Sequence, residues 1–263
     1  MRHAQAARQL AALAVTALAA GLARRGPPQP PPLAISINVP AYRLDVRDGD
    51  STWSYRVAIG LPRYPTPRGS FAVREVTWNP GWIPPASDWA RDERPQGPGP
   101  ENPMGRVKLR LTDLVFVHGT PLEASLGRAA SHACVRMANA DAIALARRVL
   151  RRAAPQVSDA LVDSLLADST RTRTLAVASP VPVTVRYELA EVRRDTLWAY
   201  PDVYAVRGAS ARADAMRALA GAGGDTLRVD AALLDSLLRT ARRGAAGVLV
   251  ADVMRAARVP AAP

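Results

Sequence analysis

The chain has a single cysteine, Cys134, so it can hold no internal disulfide, no thiol pair for redox exchange and no multi-cysteine zinc cage. Lysine is equally scarce: Lys108 stands alone against 34 arginines. Phenylalanine occurs twice and histidine three times. Apolar bulk therefore comes largely from Ala and Val, and a hydrophobic share of 48% still suits a globular protein with a sizeable core. The sequence has no internal repeat, no sustained heptad and no nucleic-acid-binding motif. Its net charge of +12 is spread rather than clustered, which sets nucleic acid aside, and the arginine bias reads first as codon composition.

What is present is concentrated. His118, His132 and Cys134 fall within 17 positions, and the remaining histidine, His3, lies in a leader-like segment. A lone cysteine in a core is most often a small hydrophobe, but an imidazole beside a thiol is the pairing that activates a nucleophilic thiolate. A zinc site would want further ligands, and the nearby carboxylates, Glu123 and Asp141, lack ligand spacing. The reading calls for no metal and no organic cofactor.

Arg2 and Arg8 precede an uncharged apolar run, Leu10 to Leu22, with small-residue cleavage sites at Ala17-Leu18-Ala19 and Gly21-Leu22-Ala23. Residues 1–23 read as a signal peptide or, if retained, a membrane anchor, and 24–32 as a proline-rich linker. The remainder is expected to be exported to the periplasm or cell envelope.

Period-two alternation then predicts a strand through Ile35, Ile37 and Val39 and a hairpin over residues 42–59, turning at Asp48-Gly49-Asp50. Further strands are expected at Phe71–Thr77, Val107–Leu111 and Leu114–Val117, the last delivering His118 at its end. Between them, residues 79–105 are rich in Pro, Gly and Trp without period, as in an ordered flap walling a groove. After Cys134, Asn139 reads as an N-cap. The stripe Ile143, Ala146, Val149 and Leu150 predicts a helix whose N-terminus would lie against the thiol. A second helix is expected at Val157–Ala167 and a second hairpin from Val181–Glu191 and Thr196–Tyr200. The fold class expected is mainly β, a mixed sandwich with marginal helices. A helical C-terminal appendage would span 207–263.

His118-Gly119-Thr120 followed by Ser131-His132-Ala133-Cys134-Val135-Arg136-Met137 resembles the signature of the L,D-transpeptidase (YkuD-like) family. That signature is His-Gly-Thr, then Ser-His-Gly-Cys-aliphatic-Arg. Pro40-Ala41-Tyr42-Arg43-Leu44, Thr66-Pro67-Arg68-Gly69-Ser70-Phe71, Asn102-Pro103-Met104-Gly105 and Pro201-Asp202-Val203-Tyr204 resemble periplasmic members. The resemblance covers roughly residues 33–206, the expected catalytic domain.

By that resemblance, Cys134 would attack a donor stem peptide of peptidoglycan and expel its terminal D-alanine. His118 would be the general base, oriented by the Gly119 carbonyl, while His132 would hydrogen-bond within the site and shape it. The N–H groups of Ala133 and Cys134 would form the oxyanion hole. Arg136, Ser131 and Thr120 would meet the substrate, Arg136 through a carboxylate or by holding the cysteine loop; a solvated arginine at a helix start is the alternative. An amine of a neighbouring stem, a lipoprotein lysine, a D-amino acid or water would resolve the thioester. Ala133 departs from the family's Gly. At φ > 0 it would cost on the order of 1 kcal/mol and could tilt the oxyanion donors, leaving a binding protein with impaired turnover as the rival reading. The sequence carries no signal for oligomeric state.

Overall fold

Alternation of apolar and polar residues, with the apolar set turned to one side, builds the central sheet of this chain. The computed structural model describes residues 33–207, 210–222 and 227–256. The leader and linker expected at 1–23 and 24–32 lie outside the described residues.

β1 (Ala34–Asn38), β2 (Arg43–Asp48) and β3 (Ser51–Arg56) form a meander, with Gly49 at φ 60° in the β2–β3 turn. β4 (Ile59–Gly60) and β5 (Gly69–Trp78) follow, then β6 (Val107–Arg110), β7 (Phe116–Thr120), β8 (Ala129–Ser131) and β9 (Val135–Ala138). Two helices, α1 (Asn139–Ala153) and α2 (Asp159–Ala167), precede the long β10 (Arg173–Arg186). The eight-stranded mixed sheet runs β3-β2-β1-β10-β5-β6-β7-β9, parallel at β1–β10 and β7–β9 and antiparallel elsewhere. β4 pairs with β8 beside it.

α1 covers one face of this sheet with Ala142, Leu145, Ala146, Val149, Leu150 and Ala153, all buried against Val107, Leu109, Val117, Val135 and Met137 of the core. Its arginines are tied down outside the core. Arg147 pairs with Asp163 of α2, Arg152 with Asp48 of the hairpin turn, and Arg148 stacks 3.3 Å from the Trp53 ring. α2 is capped by Ser158, whose hydroxyl accepts from the Leu161 N–H at 3.2 Å.

The mainly-β core with marginal helices is as expected, but three local expectations differ. The residues after Cys134 are a strand, β9, and the helix begins only at Asn139. Asn139 is the first helical residue, with Ala138 in the cap position. The hairpin expected from Val181 instead places residues 173–186 in one central strand between β1 and β5, while the hairpin itself is β11 (Ala190–Arg193) with β12 (Thr196–Ala199).

The C-terminal segment contains helices, α3 (Ala211–Gly221), α4 (Ala231–Ala241) and the single turn α5 (Val250–Val253). It also contains strands: β13 (Leu227–Val229) pairs with β15 (Met254–Ala256), and β14 (Ala246–Leu249) extends the β11–β12 hairpin. A second core joins Ala190, Leu197 and Ala199 of that hairpin to Ala215, Leu219, Leu234, Leu237 and Val253. This layer thus begins near residue 190, short of the boundary expected at 207. The buried Glu191 fastens it to β2, accepting from Arg43 at 2.8 Å and from the Tyr200 hydroxyl at 2.6 Å. Among the described residues, no helix is long and apolar enough to cross a membrane.

Candidate active site

Three neighbouring strands place the chemistry. Along β6, β7 and β9, Val107, Leu109, Val117, Val135 and Met137 have no exposed surface and face α1. Alternate residues must face the other way. The register sets Lys108 opposite His118, and His118 opposite Arg136, so the three side chains form a row on the outer face.

Gly119 lies on the inner face, where a Cβ would come 2.2 Å from Asn139 Oδ1. The same amide oxygen lies 2.3 Å from a Cβ built on Gly105, which has φ 62°. The Asn139 side chain fills the space these two glycines leave. Its Oδ1 accepts from the Arg106 N–H at 2.9 Å and its Nδ2 donates to the Thr120 carbonyl at 3.2 Å. It therefore clamps the end of β7, a role for which the spacing of Gly105, Gly119 and Asn139 was the available signal.

His118 is buried, at 3% exposure. Its Nδ1 lies 2.6 Å from the Gly119 carbonyl, which can only accept, so Nδ1 carries the proton and Nε2 keeps its lone pair. Burial lowers its pKa to about 4, helped by the charges of Arg136 and Lys108 and opposed by the Gly119 hydrogen bond. The imidazole is neutral at physiological pH.

Cys134 keeps intermediate exposure as a residue, while enough protein surrounds its sulfur for burial to push the thiol pKa up. A hydrogen bond from the Phe116 N–H and the charges of Arg136 and Lys108 pull the other way. The thiol donates to the Leu114 carbonyl at 3.6 Å. Because a strand intervenes, α1 begins five residues beyond Cys134. A helix dipole falls off within a turn, so the N–H of Phe116 and the two side-chain cations replace the expected helix N-terminus as support for a thiolate.

Ala133 has φ 77°, in the left-handed region. Among the described residues, neither its N–H nor that of Cys134 is engaged by another group. The loop carrying them is braced from behind. The Ser131 hydroxyl donates to the Cys134 carbonyl, and the Ser131 carbonyl accepts from the Leu61 N–H at 2.8 Å. Gly60 packs so closely that a Cβ there would come 3.0 Å from Ala133 Cα. Gly60 is held by Thr66 Oγ1, which accepts from its N–H at 2.9 Å, and by the Tyr204 hydroxyl, which donates to its carbonyl at 2.9 Å. Tyr204 in turn accepts from the Thr66 N–H at 3.1 Å. Two sequence segments 138 residues apart thus meet behind the cysteine loop.

His132 is held by stacking. Its ring lies 3.7 Å from that of Trp89, nearly parallel at 8°, with Tyr64 tilted against it at 4.7 Å. The flap residue Trp89 therefore walls the site. Among the described residues, the expected hydrogen bond from His132 is not made. Burial, then Arg136 and Arg63, lower its pKa.

Thr120 is buried, and its hydroxyl accepts from the Leu122 N–H at 3.1 Å. Arg136 sits in β9 rather than at a helix start, its backbone bonded in both directions to Ala58 at 2.9 Å. Its Nε is buried without a partner, and among the described residues its guanidinium makes no ion pair. Such an arginine is suited to an incoming carboxylate.

The L,D-transpeptidase catalytic domain family, YkuD, matches residues 32–183, more than half of the chain and the whole of this site. The chain belongs to that family. It is 31% identical over 115 residues to a candidate L,D-transpeptidase, YkuD, of Bacillus licheniformis, covering 43% of this chain and 57% of the relative. It is 35% identical over 77 residues to a candidate L,D-transpeptidase of Fuscovulum blasticum, covering 28% of this chain and 41% of the relative. The matches thus span roughly half the length of these curated relatives. Among solved structures, an L,D-transpeptidase from Mycobacterium smegmatis aligns with a TM-score of 0.39 at 17% identity, covering 59% of this chain and 58% of the other.

Proposed function

We propose that this protein is a cell-envelope L,D-transpeptidase, exported by its N-terminal leader, that transfers peptidoglycan stem peptides through a cysteine acyl-enzyme. The observation that carries this reading is a neutral imidazole whose Nδ1 is committed to the Gly119 carbonyl, on the strand paired with β9, which Cys134 immediately precedes. Nε2 of His118 takes the thiol proton as Sγ attacks the donor carbonyl. The N–H groups of Ala133 and Cys134 receive the developing oxyanion. His118 then returns the proton to the leaving amine, and D-alanine departs from the thioester. The amine of a second stem resolves it. Arg136 takes a substrate carboxylate, while Thr120, Ser131 and His132 shape the donor groove.

A thiol raised by burial and an imidazole lowered by burial rest as a neutral pair. Proton transfer then accompanies attack, rather than preceding it as a standing ion pair.

The experiment is incubation of the purified protein with a tetrapeptide muropeptide. Crosslinked dimers support transfer, and tripeptide alone redirects the reading to a carboxypeptidase using water. The φ of Ala133 favours one further reading, a peptidoglycan-binding protein of the same family with impaired turnover. Intact mass after exposure to a carbapenem separates the two. An adduct lost in Cys134→Ala supports the enzyme, and a folded protein without an adduct supports the binding module.

A further inference from the structure

Lys108 is the lysine that an otherwise arginine-only chain retains, and its charge acts on the Cys134 thiol. It stands on the site face of β6, directly opposite His118. Its stem crosses toward the start of β7, where Nζ sits 4.6 Å from the centre of the Phe116 ring. The ammonium thus lies on the β6 side of His118, close enough for its charge to act on the Cys134 thiol. His132 and its stacking partners Trp89 and Tyr64 occupy the loop side.

This cation has an aromatic neighbour but no anionic one. Among the described residues, the Lys108 ammonium makes neither an ion pair nor a hydrogen bond. Glu75, the carboxylate within electrostatic reach, is held by Arg110 at 3.3 Å. Half-burial lowers the Lys108 pKa, the mark of an ammonium that has given up water without gaining a carboxylate. Phe116 gives it a cation–π seat in place of a carboxylate.

We propose that Lys108 is a specificity-determining residue: it receives the C-terminal carboxylate of the donor peptide, that of the residue expelled, and so selects donors that end one residue beyond the scissile bond. This rests on the acyl-transfer reading above. The leaving residue's carboxylate carbon is three bonds from the carbonyl carbon that Cys134 attacks, so it must lie beside Sγ when the bond breaks. Lys108 meets it on the β6 side, leaving Arg136, across His118, for the rest of the donor.

The test measures Cys134 acylation by the full-length protein with two donor tetrapeptides, identical except that one ends in a free carboxylate and the other in an amide. Wild type is expected to acylate the amidated donor about ten- to a hundredfold more slowly, the range for losing a charged hydrogen bond. Lys108→Met, which keeps a stem on Phe116, is expected to lose a similar factor on the acid through KM and to discriminate little between the donors. Lys108→Arg is expected to recover part of the discrimination. Wild type that treats both donors alike overturns the proposal without reference to any variant. So does Lys108→Met that slows both donors equally, or that discriminates as wild type does. Wild type that acylates with neither donor overturns the transpeptidase reading itself, and this proposal with it.

Discussion

The two faces of the β6–β7–β9 ladder draw on the same strands and share almost no chemistry. The inner face is Val107, Leu109, Val117, Val135 and Met137, all fully buried under α1. The outer face is Lys108, His118 and Arg136, with Cys134 and Phe116 beside them. Two cations flanking a neutral imidazole have no opposite charge among them and would not hold a geometry by mutual attraction. The apolar face supplies that geometry, because a period-two register that seats Val117 and Met137 also aims His118 and Arg136. Bonds that do steady the outer face come from backbone: the Gly119 carbonyl on His118 and the Phe116 N–H on Cys134.

The division of labour can be broken from either side. The largest expected effect is on the outer face. Cys134→Ala and His118→Gln should each cost at least about a thousandfold in acylation while leaving the melting temperature nearly unchanged for the cysteine variant. Met137→Ala on the inner face should do the reverse. It is expected to destabilise the fold by about 2–5 kcal/mol in urea titration, with the surviving folded molecules acylating within a few-fold of wild type. Equal losses of activity per folded molecule in Met137→Ala and His118→Gln would show that the faces are not separable.

His118 joins the two faces through pH. Its pKa is about 4 in the folded chain against an ordinary value of 6.5. Between these values the unfolded chain binds more protons, so stability is full above about pH 6.5 and drains as the pH falls toward 4, by on the order of 3 kcal/mol. His118→Gln should flatten that slope in pH-dependent unfolding. The acid limb of the wild-type acylation rate should fall near pH 4 rather than near 6.5.

The smallest expected effect concerns two positions with nearly the same backbone, Gly127 at φ 78° and Ala133 at φ 77°. At Gly127 a Cβ would also come 2.3 Å from the Arg56 guanidinium, an exposed side-chain end that would have to shift. Ala133 accepts a methyl group at a conformational cost alone. Ala133→Gly is expected to gain up to about 1 kcal/mol of stability and to raise acylation, whereas Gly127→Ala should destabilise. An unchanged rate in Ala133→Gly would mean that the oxyanion donors were already aligned.

Much of the site was legible in the sequence because its residues are local and chemically rare. His118, Cys134 and their neighbours cluster, and the strand carrying His118 is a short apolar run, Leu114 to Val117, ending at the histidine. The stretch after Cys134 misled because Val135-Arg136-Met137-Ala138 is too short to establish a period before the strong helical stripe begins. The buried alternation of Val135 and Met137 against Arg136 was the signal for a strand. Asn139 looked like a cap because its type favours caps, while its actual partners, Thr120 and Arg106, are distant in sequence. The brace of Gly60, Thr66 and Tyr204 was hidden for the same reason. Lys108 was visible as the one lysine, but its place opposite His118 needed the register of β6 and β7.

The place of β10 has a consequence for how the chain reaches its native state. It is the seam between β1-β2-β3 on one side and β5-β6-β7-β9 on the other. Ile35 pairs early with Val46 of β2 but gains its second partner only when Val183 arrives. Until then the nascent protein holds two half-sheets with raw hydrogen-bonding edges, and closing them brings together strands far apart in the sequence, a slow step for any two-state folder. A chain cut short before residue 173 would keep His118 and Cys134 but lack the strand that joins the halves.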